Sequence, residues 1–133
     1  MPSHIHLIAR AEGKDSLSDI LRDFKKFTSK ALIQQIISED ESRRDWMLEY
    51  FRKAGENLRG ITNYKFWQDG NHSEMISSNN FFDEKLDYIH NNPVEEMIVE
   101  RPEDYIFSSA RNYAGLDNYL EIVLESVKQR RFR

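Results

Sequence analysis

Apolar residues recur early in the chain at Leu17, Ile20, Leu21, Phe24, Phe27, Leu32 and Ile36, the three-and-four spacing of one helix face. Asp15 or Ser16 can cap that helix, because a short side-chain oxygen accepts one of the amides that helix geometry leaves unpaired. A second amphipathic stretch, about Glu41 to Leu58, gathers Trp46, Met47, Leu48, Tyr50 and Phe51 as core candidates, with Gly55 and Gly60 fraying its end. Tyr64 to Gln68 and His72 to Ile76 read as extended segments broken at Asp69-Gly70, which suits a β-hairpin. A third helix is predicted from about Asn80 to Asn91. Pro93 disfavours helical geometry at Asn92 and so ends it there. Within residues 116–133, Tyr119, Ile122, Val123 and Val127 form the stripe of a last helix, from about Asp117 to Gln129.

The opening run His4-Ile5-His6-Leu7-Ile8-Ala9 has the alternation of a β-strand over residues 1–10. Residues i and i+2 of a strand project from one face, so both imidazoles point the same way while Ile5, Leu7 and Ala9 anchor the other face in a core. Three residues can thus build half a metal site on a stiff support. The plain alternative is a polar surface carrying two histidines.

Composition narrows the function classes. The 133 residues are read as one domain, 32% charged, and no apolar run approaches the ~20 residues of a membrane span. With a mean hydropathy of -0.73 and no signal-peptide pattern, the expectation is a cytoplasmic protein with no membrane partner. The absence of cysteine excludes disulfides, thiolate zinc sites and cysteine nucleophiles. A net charge of -4 does not by itself suggest nucleic acid, whose non-specific binding rests on cations meeting phosphates. Local charge matters more: Arg22, Lys25, Lys26 and Lys30 share the first helix, Arg43, Arg44, Arg52 and Lys53 the second, and Lys128, Arg130, Arg131 and Arg133 close the chain. Each cluster is either a nucleic-acid contact or an ordinary solvated face.

Four motifs occur in a telling order: Met1-Pro2-Ser3-His4-Ile5-His6-Leu7-Ile8, then Phe66-Trp67-Gln68-Asp69-Gly70-Asn71-His72, then Lys85-Leu86-Asp87-Tyr88-Ile89-His90-Asn91-Asn92-Pro93-Val94, then the run from Arg101-Pro102 to Asn112-Tyr113. Together they resemble the REP-associated tyrosine transposases of the single-strand HUH insertion-sequence superfamily, from the first residue to about Gly115. The resemblance implies an α+β, ferredoxin-like fold, an antiparallel sheet with helices on one face. The fold is expected to be incomplete at the N-terminus, with the strand and helix that precede the histidine motif in the family missing, and to carry an extra C-terminal helix. It also implies a nuclease-ligase acting on single-stranded hairpin DNA, with Tyr88 as nucleophile on a helix over 80–92. His4, His6 and Asn92 would hold a divalent metal, Mg²⁺ or Mn²⁺, and a homodimer is compatible with the family.

The chemistry is coherent. A free phenol titrates near ~10 and is a poor nucleophile at neutral pH, so a site using one must draw charge from the phosphate or take the phenolic proton. Two imidazoles and an amide form a mixed donor set that suits such an ion without specifying it. Tyr88 and Asn92, four apart, share a helix face. Arg22, Lys25, Lys26, Lys30, Ser108 and Arg111 are the candidate DNA contacts, with helix capping as the alternative for Ser108 and Ser109. Two other functions stay open: an inactive remnant that only binds hairpin DNA, and a helical interaction protein.

Overall fold

Ser16 opens the first helix, α1 (Leu17–Ser38), by accepting a hydrogen bond from the Asp19 amide at 3.2 Å. Its hydroxyl donates in turn to the Asp19 carboxylate at 2.6 Å, and the guanidinium of Arg22 also engages Asp19. The Ser16 hydroxyl and Arg22 therefore hold the Asp19 carboxyl below the ordinary carboxylate range. Helix α2 (Arg44–Gly55) follows and packs on α1. Helix α3 (Asn79–Glu95) is capped by Ser78, whose Oγ accepts from the Phe81 amide at 3.2 Å. A 3₁₀ turn over Pro102–Asp104 packs against both α3 and the short α4 (Ala110–Tyr113). In this computed structural model residues 3–56, 58 and 63–125 are described. They form two compact units: Ala9–His72, and Met1–Ile8 with Ser73–Arg133.

Every regular element among the described residues is helical, which overturns the expected ferredoxin-like antiparallel sheet. The reason is pairing. Alternating polar and apolar residues favour extended backbone, but a strand exists only when its N–H and C=O groups join a ladder. His4 to Ala9 makes no such ladder, and Ile5 and Leu7 are 53% and 60% exposed instead of anchoring a core. The expected hairpin around Asp69-Gly70 is likewise unpaired; Gly70 and His72 turn the chain there at φ 79° and 45°.

The C-terminal helix is also corrected. Residues 115–125 are not helical. Asn118 Nδ2 donates to the Ser108 carbonyl at 2.9 Å, Asn118 Oδ1 accepts from the Tyr119 amide, and Asn112 Nδ2 donates to the Leu120 carbonyl. These side-chain bonds satisfy backbone groups that a helix would otherwise have to pair. Gly60, Val127 and the basic cluster from Lys128 to Arg133 lie outside the described residues.

Helix α3 runs past its expected end. Pro93 lies inside it, buried next to buried Asn92, and the helix closes three residues later. There Met97, at φ 55°, donates to the Val94 carbonyl and Ile98 donates to the Pro93 carbonyl, the paired closing bonds of a Schellman motif. Packing and this closure outweigh the steric preference of the residue before proline.

The core is thin. Ile33, Phe82 and Ala110 are its buried apolar side chains among the described residues. Phe27, assigned to the α1 stripe by its spacing, is 74% exposed, and Trp46 and Tyr50, read as core, stack on each other at the surface. Trp67 is better embedded: its indole N–H donates to Thr28 Oγ1 at 3.0 Å, and its ring meets Phe66 and Phe24.

Candidate functional site

Three rings, two from neighbouring residues of the N-terminal segment and one from α3, stand in succession within the α3 unit. The His4 and His6 ring centroids are 4.8 Å apart and nearly perpendicular; those of His6 and Tyr88 are 5.5 Å apart, again edge to face. The two histidines lie on a segment that is not a strand, so the stiff support expected for them is not formed. Tyr88 projects from α3 and is half exposed. Asn92, one turn further along, is buried, and the continuation of α3 to Glu95 keeps it in helical register with Tyr88.

His6 has an unusual environment. Its Nε2 is buried and meets no hydrogen-bond partner among the described residues. Burial, followed by the neighbouring His4, holds its pKa below the ordinary imidazole value. A neutral ring with a shielded lone pair and no protein donor is suited to an electrophile, whether a proton or a metal ion. His4 Nδ1 lies 3.1 Å from Ser3 Oγ, which leaves its other nitrogen for the same purpose. Among the described residues no three histidine or acidic side chains converge on a metal position.

Lys85, three residues before Tyr88 on α3, is an addition that pattern reading missed. It pairs with Glu74 at 2.7 Å, which raises its pKa, and it sits over the Phe81 ring. Its ammonium is also close enough to Tyr88 to be influenced by it. The signal was available in the three-residue spacing on one helix.

His90 does not join this cluster. Its Nε2 lies 2.9 Å from Ser109 Oγ and its ring meets Tyr113, so it ties α3 to α4. Burial lowers its pKa, with Asp87 opposing.

The candidate DNA contacts separate into engaged and available groups. Arg22 is held by Asp19 and Asp23. Arg111 donates to the carbonyls of Asp117 and Glu103, each at 3.0 Å, so its fork organises the α4 region. Ser108 is buried, its Oγ accepting from the Ala110 amide at 3.2 Å, while Ser109, the N-cap residue of α4, makes no side-chain capping bond. Lys25 donates to the carbonyls of Gln68 and Gly70, pinning the loop that carries Trp67. Lys26 and Lys30 are exposed on α1 and have no partner among the described residues.

No helix among the described residues is long and apolar enough to cross a membrane. Comparison with family models, with curated proteins and with solved structures finds no match to this chain.

Proposed function

We propose that the chain cleaves and rejoins single-stranded DNA through a phosphotyrosyl intermediate on Tyr88, with His4, His6 and Asn92 holding a divalent cation. The observation that carries the reading is the succession of His4, His6 and Tyr88 rings, with a shielded, unpartnered nitrogen on the central one. The motif resemblance supplies the reaction type.

In the cleavage step the Tyr88 oxygen bonds to phosphorus, its proton passes to a base, and the bond from phosphorus to the 3′ oxygen breaks. The products are a 5′-phosphotyrosyl link and a free 3′ hydroxyl. Because one phosphoester replaces another, the reverse attack by a 3′ hydroxyl rejoins DNA without ATP. With His6 assigned to the cation, the phenolic proton passes to a solvent base, and Lys85 places positive charge one turn from the nucleophile. A bound divalent ion would polarise the phosphate and offset developing charge.

A second reading has its own support. The segment bearing His4 and His6 has no sheet beneath it and Ile5 and Leu7 are exposed, so the metal ligands lack the rigid backing that catalysis favours. A protein that binds hairpin DNA without cutting it would tolerate that.

The deciding experiment incubates the chain and its Tyr88→Phe variant with labelled single-stranded hairpin oligonucleotides and Mn²⁺, and looks for a denaturation-resistant adduct. The proposal expects an adduct that is absent in the variant and is reduced by His6→Ala. Hairpin binding without an adduct would select the silent binder. An adduct that survives Tyr88→Phe would remove Tyr88 from the mechanism.

A further inference from the structure

In the Ala9–His72 unit, α1 and the segment beginning at Asn63 enclose an open groove of about 560 Å³. Lys25, Lys26, Lys30 and Lys65 line it, and none of its described lining residues is aspartate or glutamate. That segregation stands out in a chain with 23 acidic and 19 basic residues, where a random patch of this size would carry both signs. Lys65 is balanced by Asp69 at 2.6 Å. Lys25 is fixed by two backbone carbonyls, which orient its charge without cancelling it, and Lys26 and Lys30 have no partner among the described residues. The Lys25 ammonium is thus turned to the Gln68–Gly70 loop, and Lys26 and Lys30 leave two positive charges at the groove without a counter-ion among the described residues.

The rest of the lining narrows the partner. Tyr64, half-buried, contributes an aromatic ring, and Gln34 and Asn63 contribute exposed amides. Cations spaced along a helix, a ring and amide donors match a polymer that alternates phosphate with flat, hydrogen-bonding bases. An acidic peptide would use the charge and leave the ring and amides without a role.

We infer that this groove binds single-stranded nucleic acid, with Lys26 and Lys30 on successive phosphates and Tyr64 as a stacking surface for a base. The inference deepens the reading above and rests on it for the nature of the strand, while the groove's own chemistry needs no cleavage. DNA and RNA present the same phosphates and bases here.

The test measures fluorescence anisotropy of labelled oligothymidylate and oligouridylate of about 15 nucleotides, with the full chain, a metal chelator present, and salt varied. Two phosphate contacts predict binding that weakens ~7-fold between about 50 and 200 mM salt. Lys26→Glu with Lys30→Glu should weaken binding on the order of 10- to 100-fold and flatten the salt dependence. Lys14→Glu with Lys53→Glu, which makes the same change in net charge outside the groove, should bind like the parent. Tyr64→Ala should lose about tenfold and Tyr64→Phe almost nothing, with circular dichroism confirming that each variant is folded. Preference between the two oligonucleotides identifies the natural strand. The inference is overturned if the groove variant binds like the parent, if both charge variants weaken equally, or if polyglutamate competes as well as the oligonucleotides. Because no adduct can form with the metal chelated, loss of groove binding and loss of Tyr88 chemistry are read separately.

Discussion

The ring cluster around Tyr88 and the lysine groove beside α1 are made of opposite materials. The first consists of aromatic rings, one of which, His6, has its pKa held below the ordinary imidazole value by burial. The second is lined by lysines of which two, Lys26 and Lys30, have no counter-ion among the described residues. A lone pair gains reactivity when water is kept from it, whereas a phosphate-binding ammonium does its work while solvated and is weakened by any carboxylate nearby. The two candidate regions sit on different helices, the rings on α3 and the lysines on α1.

The comparison breaks most readily through the core. Phe82 is the buried aromatic of α3, and Phe82→Ala should cost about 3–5 kcal/mol by urea denaturation. Ile33→Ala, at the buried position of α1, should cost about 2–4 kcal/mol. At temperatures where each variant is partly unfolded, Phe82→Ala should abolish adduct formation before oligonucleotide binding, and Ile33→Ala should do the reverse. If both variants lose both properties together, the two regions share one cooperative fold and the contrast between them fails.

A smaller effect sharpens the contrast by pH. Burial places the folded pKa values of His6 and His90 below the ordinary value of 6.5. Between the folded and unfolded values the unfolded chain binds more protons, so stability rises with pH in that window. The contribution is complete above about pH 6.5 and is lost as pH falls through the folded values. The urea midpoint should therefore drop on acidification toward about pH 5.5, and His90→Gln should reduce the drop. No histidine lines the lysine groove among its described residues, so oligonucleotide affinity should change little over the same range. A midpoint that rises on acidification would contradict the assigned burial.

The smallest expected effect concerns the end of α3. Met97 occupies a left-handed conformation at the position where helices favour glycine. Met97→Gly should stabilise by about 0.5–1 kcal/mol, measured by the same denaturation, and leave adduct formation unchanged.

The three long helices were legible because periodicity and caps are local properties: Ser16 and the stripe from Leu17 to Ile36 lie within the element they specify. Ser78 was overlooked as a cap because no marked apolar run follows it at once. The sheet was misread because alternation at His4 to Ala9 records only which residues face which way, whereas a strand requires a distant partner. The C-terminal helix failed for a different reason, since Asn112 and Asn118 bind backbone carbonyls that a periodicity argument ignores. At the site, the spacing of His4 and His6 and of Tyr88 and Asn92 was readable. The approach of His6 to Tyr88 rested on resemblance, and the engagement of Arg22, Arg111 and Ser108 emerged only with their neighbours in place.

Both tryptophans of the chain, Trp46 and Trp67, fall in the Ala9–His72 unit. Intrinsic emission excited at the red edge of the ultraviolet band therefore comes from that unit alone. It reports on α1, α2 and the groove loop and is silent about Tyr88. The two reporters are also unlike: Trp46 is 66% exposed and open to a soluble quencher, while Trp67 is tethered through its indole N–H. A quenching titration thus divides the signal without labelling, and an oligonucleotide seated beside Trp67 would protect one population and leave the other as an internal standard.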